Sequence, residues 1–547
     1  MEDNTKAIGL TAHQVDVTSA EDIDPDTLAY GLELVEQEKV TSIKSVLASH
    51  YKAAAWGVML SFALVMEGFD MNVVNSFYGQ PAFQRKFGDL QPDGSYNVSA
   101  KWQSAIGNMA SVGTLIGLII TGYCQEAFGA RKTYAVGMLA MIATIFLAVF
   151  AQNLPMLLAA ELLMGIPWGM FQTLSTAYAA EICPIRLRGL LASFVNMAWG
   201  IGIFLSSGVT RATLKIDSNW AWRLPYALQW VWPVPLFVGA LLIPESPWWL
   251  VRKGRIDDAK RALERLARPG YYDERKLDAY VAVMKHTDDL DRAEAAKGSY
   301  KECFQGTNLR RTEIMFGVWL CQIWDGQYIT SYGVVFFEAA GLAAETAFDI
   351  NLSLNSMFII GTMVGWCLIP HFGRRTLYLA GMLLQALLLL ITGILGVVPS
   401  RPGITYGIGA ILILINFVYN VTIGPLCYTI SGELPSSRLR TRSIAMGRFV
   451  YSACSIAVGQ LNPHMMNQTA WNWGAKSGWF WLGTNALCTL WCFFRLPETG
   501  KFSFAELDIL FANKVPARHF TKVKIDDAAG HGAIHPAEGK LEVSHSD

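Results

Sequence analysis

Charge is what this sequence has least of. Only 16% of its 547 residues are Asp, Glu, Lys or Arg, and their formal sum is zero. A balanced, charge-poor chain carries no electrostatic footprint for nucleic acid or for an acidic partner. The nine cysteines include no CxxC pair and lie in or beside apolar stretches, which argues against a disulfide framework or a zinc site. They act as small hydrophobes. Neither HExxH nor GxSxG occurs, so the sequence does not read as an enzyme. The histidines after Phe511 (His519, His531, His535 and His545) are irregularly spaced, and no metal or cofactor is expected.

What fills the chain instead is apolar: 52% hydrophobic residues, 18 Trp and 28 Phe. That composition predicts a polytopic membrane protein. Twelve apolar spans follow, near 53–77, 102–123, 132–152, 155–178, 189–211, 222–243, 313–337, 350–370, 376–398, 404–430, 443–466 and 478–496. About 20 mainly apolar residues cross a bilayer core. The first span, within Ala53–Gln80, holds Glu67 and Asp70 three residues apart on one helix face. Acids at that depth cost several kcal/mol unless paired or facing a water-filled cavity. They read either as a helix end with solvated carboxylates or as an ion- or proton-linked site; apolar sequence continuing through Val73, Val74, Phe77 and Tyr78 favours the second.

Basic residues beside short loops set the orientation. Arg131-Lys132, Arg186 and Arg188, Arg374-Arg375, and Arg438, Arg440 and Arg442 all fall on one side if both tails are cytosolic. The Asn-x-Ser/Thr triplets at Asn97, Asn351 and Asn467 then fall in or beside external loops. Residues 1–50 hold ten acids against three Lys/Arg and no short apolar core, and read as a disordered cytosolic tail. Residues 244–312 carry amphipathic patterns over Arg255–Leu266 and Glu274–Lys285, short cytosolic helices beneath the membrane.

Signals also repeat roughly 250 residues apart: Gly129 before Arg131-Lys132 and Gly373 before Arg374-Arg375; Glu181 before Arg186 and Arg188, and Glu433 before Arg438 and Arg440; Pro244-Glu245 and Pro497-Glu498. The predicted fold is all-α, with twelve transmembrane helices in two six-helix halves. The parts are a tail at 1–50, a bundle at 51–243, a linker at 244–312, a bundle at 313–496 and a cytosolic tail at 497–547. Parallel repeats of this kind suit alternating access around a midplane site.

At these repeats the chain resembles the sugar porters of the major facilitator superfamily over residues 50–511. The residues that carry the likeness are Glu126…Gly129-Ala130-Arg131-Lys132, Glu181-Ile-Cys-Pro…Arg188, Trp222-Arg223-Leu224-Pro225, Pro244-Glu245-Ser246-Pro247, Gly373-Arg374-Arg375, Gly424-Pro425…Glu433…Arg438 and Pro497-Glu498-Thr499-Gly500. A closer likeness, to fungal α-glucoside (maltose-type) permeases, rests on Glu67-Gly68-Phe69-Asp70, on Gln84–Gly88, and on Glu161…Gly165-Ile-Pro167-Trp168-Gly169…Phe171-Gln172-Thr173. The resemblance implies a proton-coupled sugar carrier of the plasma membrane, working as a monomer without cofactors. A facilitative hexose uniporter, a transport-silent sugar sensor and a vacuolar location are the rivals.

Arginine forks bind carboxylates and helix C-terminal carbonyls. Glu126, Glu181, Glu245 and Glu433 with Arg131, Arg188, Arg374 and Arg438 are therefore expected to latch the halves in the outward-open state; the plainer alternative is helix capping plus topology. Ile369 stands where the first half has Glu126, which weakens that side. Matching to the family pattern puts Asn196, Gln322, Asp325, Gln327, Tyr428 and Tyr451 forward as sugar contacts, with Cys321 and Phe358 replacing usual amides. Interhelical packing is the alternative for any one of them, and Asp325 also fits a place near the outer end. Sugar hydroxyls need donor–acceptor side chains, and the apolar sugar face stacks on a ring. Many proton-linked relatives pair the helix-1 Asp with a helix-4 Arg; here that helix-4 position is Glu161. Carboxylates sharing a cavity cannot all ionise cheaply, so a proton is expected among Glu67, Asp70 and Glu161. Arg448 is either their countercharge or a snorkelling residue near the cytosolic end.

Overall fold

The computed structural model describes residues 24–526, apart from 93, 298–299, 340, 370, 400, 436–438, 501 and 503, together with 533–536. Twelve helical segments occupy the twelve apolar spans. They are α1 (Tyr51–Phe77), α2 (Ala100–Phe128), α3 (Ala130–Val149), α4 (Leu154–Ile182), α5 (Ile185–Thr213) and α6 (Trp220–Leu242), then α7 (Gly306–Trp324), α8 (Ala344–Leu368), α9 (Arg374–Val397), α10 (Pro402–Glu433), α11 (Arg440–Met466) and α12 (Ser477–Arg495). Among the described residues, nine of these are long and apolar enough to cross a bilayer; α5, α7 and α12 fill the remaining predicted positions.

Three segments break where the sequence reading ran straight through, and in α6 the break is a 3-10 turn, Gln229–Val231, just before Pro233. After Trp324 the chain turns at Asp325 and Gly326 (φ 96°), passes through a 3-10 turn, Gln327–Tyr332, and resumes as Gly333–Ala339. Glycine is needed there because the left-handed region penalises a Cβ. In α10 the break falls at Thr422 (φ −120°, ψ −83°), three residues before Pro425. Proline removes the amide that would bond back across that turn.

The tightest crossing joins α2 to α4. Gly113 and Gly117 face Gly165 and Gly169, two small-xxx-small motifs in register. A Cβ on Gly117 would fall 2.0 Å from the Ile166 carbonyl oxygen, and one on Gly169 would fall 2.1 Å from that of Thr114. Backbone cannot retreat as a flexible side chain can, so Gly117→Val should destabilise the N-terminal half by about 3 kcal/mol or more. A Tm in detergent close to that of the parent would refute this. A similar crossing sets α1 on α5, where Gly68 meets the Trp199 carbonyl and Gly202 that of Val65. It holds the face bearing Glu67 and Asp70 inside the bundle.

The helices Pro247–Arg252, Ile256–Leu266 and Glu274–Lys297 pack at one end of the molecule, hereafter the linker end, around Trp249, Leu250, Leu263, Leu277 and Val281. Neither tail is wholly the solvated segment predicted. The helix Pro25–Val40 lies on Glu274–Lys297, with Arg275 over the Tyr30 ring at 4.6 Å and the Tyr280 hydroxyl donating to Glu38. Leu28, Gly31, Leu34 and Val35, at helical spacing within acidic surroundings, supply the inward face. At the other terminus, Leu510, Phe511 and Phe520 are buried against the C-terminal half, and a hairpin pairs Val523–Asp526 with Ala533–Pro536.

The contacts joining the two halves gather toward the far end. Arg211 on α5 pairs with Asp349 on α8 (2.6 Å), Asn355 donates to Ser207 (2.7 Å), and Tyr78 stacks on Tyr332. Asn467 donates to the Val98 carbonyl (2.9 Å). Asn467 is fully buried and Asn351 lies buried within α8, so neither side chain is exposed for N-glycosylation in this state. The far end is closed, and the named links there do not recur at the linker end.

Candidate functional site between the halves

The buried acids of the N-terminal half sort into a pair and a single group. Asp70 and Glu161, both buried, face each other within hydrogen-bonding reach. Gln229 donates to Asp70 Oδ1, and the Tyr226 hydroxyl donates to Glu161 Oε1 at 3.0 Å. Asp70 Oδ2 meets no N–H or O–H donor among the described residues. Two adjacent buried carboxyls are stable only when one bears a proton that both share. Glu67, one helical turn earlier on the same face, has a different partner.

Glu67 instead begins a bridge across the halves. Gln172 on α4 donates its amide to Glu67 Oε1 at 2.6 Å, and Arg448 on α11 donates to Gln172 Oε1 at 3.3 Å. Arg448 Nη1 donates to the Tyr428 hydroxyl at 3.4 Å. Its guanidinium lies over three rings, Trp319 at 5.0 Å, Tyr428 at 5.3 Å and Tyr451 at 5.6 Å. This geometry places Arg448 in the interior, among amides and rings, and not among headgroups. Such an aromatic enclosure favours guanidinium by cation–π attraction of about 2 kcal/mol when desolvated.

Around this bridge stand several of the predicted sugar contacts. Tyr428 is 39% exposed although Trp319 and Arg448 flank it, so it faces an opening between the halves. Tyr451 packs edge-on to Trp319. Asn196 on α5 donates to Thr362 on α8 at 3.5 Å, a further link between the halves. Gln322 is buried, donating to the Gly424 carbonyl beside the α10 break, with Oε1 unpaired among the described residues. Gln327 donates to Asn416 at 2.6 Å. Asp325 departs from the expected role. It is completely buried and accepts from the Gln327 amide at 2.9 Å, which makes it the cap of broken helix α7 and not a sugar contact. Asn485 secures its carbonyl from α12.

The acid–arginine motifs at the linker end pair within one half each. Arg131 donates to the carbonyls of Ala240 (3.3 Å) and Leu241 at the end of α6, and its amide donates to Glu245. Glu181 binds Arg252 (3.0 Å) and the Ser246 hydroxyl. Arg374 pairs with Glu433 (3.1 Å). Glu498, which the sequence reading had not marked as a latch residue, accepts the amides of Arg374 and Arg375 just as Glu245 does for Arg131. Burial pushes the Glu245 carboxyl above its usual range, against the pull of the amides of Arg131, Ser246 and Ala130. Glu126 is exposed and meets the Trp249 indole only through its backbone carbonyl. Arg438 and the side chain of Arg188 lie outside the described residues.

Sequence reasoning did not assign roles to Gln172, Tyr226, Gln229 or Trp319. Gln172 stood inside the Phe171-Gln172-Thr173 signature, but no periodicity marks an amide as the link between two distant charges.

Comparison with known proteins agrees with this architecture. The family described as "Sugar (and other) transporter" matches residues 56–511. The general alpha-glucoside permease of Saccharomyces cerevisiae is 37% identical over 514 residues, covering 93% of this chain and 83% of that protein. Maltose permease MAL61 of the same yeast is 37% identical, covering 90% and 81%. Among solved structures, the partially occluded inward open conformation of the xylose transporter XylE from E. coli superposes with a TM-score of 0.68 at 18% identity, covering 83% of this chain and 99% of that one. The proton:xylose symporter XylE bound to 6-bromo-6-deoxy-D-glucose gives 0.67 at 20% identity, covering 84% and 99%. With its two six-helix halves closed at one end around buried charge, and with those likenesses running almost from end to end, this chain belongs to the sugar transporter family of the major facilitator fold.

Proposed function

We propose that the chain carries α-glucosides such as maltose across the plasma membrane together with protons, as a monomer with both termini and the linker in the cytosol. The observation that carries the reading is the Glu67–Gln172–Arg448 bridge, which ties a buried acid of one half to a cation of the other beside Tyr428. Alongside it, the Asp70–Glu161 pair holds a proton that can be gained on one side and lost on the other. The names of the yeast relatives supply the substrate class, and the bridge supplies the coupling. Asn196, Gln322, Gln327, Tyr428 and Tyr451 offer amides, a hydroxyl and rings to a sugar. The closed far end and separated linker end fit an inward-facing state, in which the cytosolic acid–arginine pairs have retired into their own halves.

The test is uptake of a labelled disaccharide panel in a transport-null cell, with external pH recorded. Concentrative maltose uptake with external alkalinisation is expected. Equilibrating hexose uptake without a pH signal would instead identify a uniporter, and sugar-dependent signalling without uptake a sensor.

Alternating access gives a second test. A Cβ on Gly79 would stand 2.5 Å from Val334 Cγ1 across the far-end contact. Cysteines at both positions therefore approach disulfide geometry, for which Cβ atoms lie about 4 Å apart. Oxidised Gly79→Cys/Val334→Cys should transport at least about tenfold more slowly and recover on reduction, since one bond opposes the whole opening of that end. Full activity in a demonstrably oxidised sample would contradict it.

A further inference from the structure

A cleft of about 700 Å³ opens at the linker end of the N-terminal half, between the α2–α3 turn, the end of α6 and the helix Ile256–Leu266. Five cations line it (Arg131, Lys132, Arg255, Arg261 and Arg265) against two carboxylates, Glu245 and Asp258. Both carboxylates are already engaged. Glu245 accepts the amides of Arg131 and Ser246, and Asp258 takes Arg255 (2.7 Å) and Arg261 (2.5 Å). Arg265 donates to the Leu242 carbonyl at 2.6 Å, which occupies one edge of its fork. Lys132 is exposed at the mouth.

The excess positive charge calls for an anion, and the remaining wall says which kind. Phe128 and Leu241 line the same cleft and are 59% and 49% exposed, at the ends of the membrane-spanning helices α2 and α6. A soluble anion has no use for those two surfaces. A molecule with an anionic head and an apolar tail uses both.

We propose that this cleft binds the headgroup of an anionic phospholipid. Lys132, Arg261 and Arg265 hold its phosphate, and its acyl chains run along Phe128 and Leu241. The lipid then joins the membrane end of α3 and α6 to the helix Ile256–Leu266, so the linker is anchored to the N-terminal half through the bilayer as well as through protein contacts. The inference needs only that α3 and α6 span the membrane, not the substrate reading above.

The full-length chain, purified in detergent, is exposed to equimolar phosphatidylserine and phosphatidylcholine, and retained lipid is read by native mass spectrometry. Phosphatidylserine should be retained about tenfold over phosphatidylcholine, and Lys132→Gln/Arg261→Gln should bring the ratio near parity, since each surface cation contributes a few-fold. Asp258→Asn frees two guanidiniums and should raise the ratio, a gain that structural damage would not produce. Equal retention of both lipids by the parent chain, an unchanged preference in the double variant, or no gain in Asp258→Asn would each overturn the proposal. A further arm adds inorganic phosphate as competitor. Displacement of phosphatidylserine by millimolar phosphate would make the cleft a free-anion site and also overturn it; persistence of the bound lipid supports it.

Discussion

Replacing Asp70 with Asn should abolish accumulation of α-glucoside against a gradient while leaving exchange of internal for external sugar. The substitution keeps size and shape. Gln229 can still donate to the side-chain oxygen, and the new amide can donate to Glu161 where the shared proton stood. What disappears is the exchangeable proton, so the pair is fixed in one electrostatic state through the whole cycle. A proton carried across a membrane potential supplies about 2.3 kcal/mol per 100 mV, equivalent to a gradient of about 50-fold. That factor is the expected loss: labelled maltose should equilibrate at a ratio near one, with no external alkalinisation. Uphill uptake with normal proton entry in Asp70→Asn would remove this pair from the coupling path.

The second large effect concerns Arg448. Arg448→Gln strips the cation from the three rings and ends the charge-assisted hydrogen bond to Gln172, leaving Glu67 held by an amide alone. A hydrogen bond to a charged group contributes about 1.5–3 kcal/mol and a desolvated cation–π contact about 2 kcal/mol, so transport should fall at least about 100-fold. Arg448→Lys keeps a charge but not the planar fork, and should fall between the two. Chain abundance in the membrane must be measured alongside, since a folding defect would lower both alike. Near-parental transport by a well-expressed Arg448→Gln chain would show that the bridge carries no coupling. Gln172→Leu offers the complementary break, removing the link while leaving both charges present.

These predictions rest on contacts of very different legibility. The spans could be read to within a few residues because apolar length is a local property: α1 was expected near 53–77 and runs over Tyr51–Phe77. Glu67 and Asp70 were visible for the same reason, as costly groups in an apolar run. The repeat of Gly129-Ala130-Arg131 and Gly373-Arg374 exposed the two halves without any coordinates. The α7 break was not legible, although Gly326 marked it, because a single glycine in a span is compatible with an unbroken helix. Tail docking escaped notice too, since the acidic composition of residues 25–40 concealed a face that fits the linker helices.

The sequence by itself determined the membrane-spanning class, the paired halves, the family and the depth of Glu67 and Asp70 in the first span, since each is carried by composition, spacing or a local motif. Only the tertiary structure decided how those acids divide. It set Asp70 against Glu161 and sent Glu67 through Gln172 to Arg448, and it withdrew Asp325 into a helix cap. It also confined the named acid–arginine pairs at the linker end to their own halves. The reason is physical. Which carboxyl meets which partner depends on helix rotation and crossing distance, and those follow from close packing, such as Gly68 on Trp199 and Gly117 on Ile166. Such contacts join residues from about fifty to more than a hundred positions apart, beyond the reach of any local pattern.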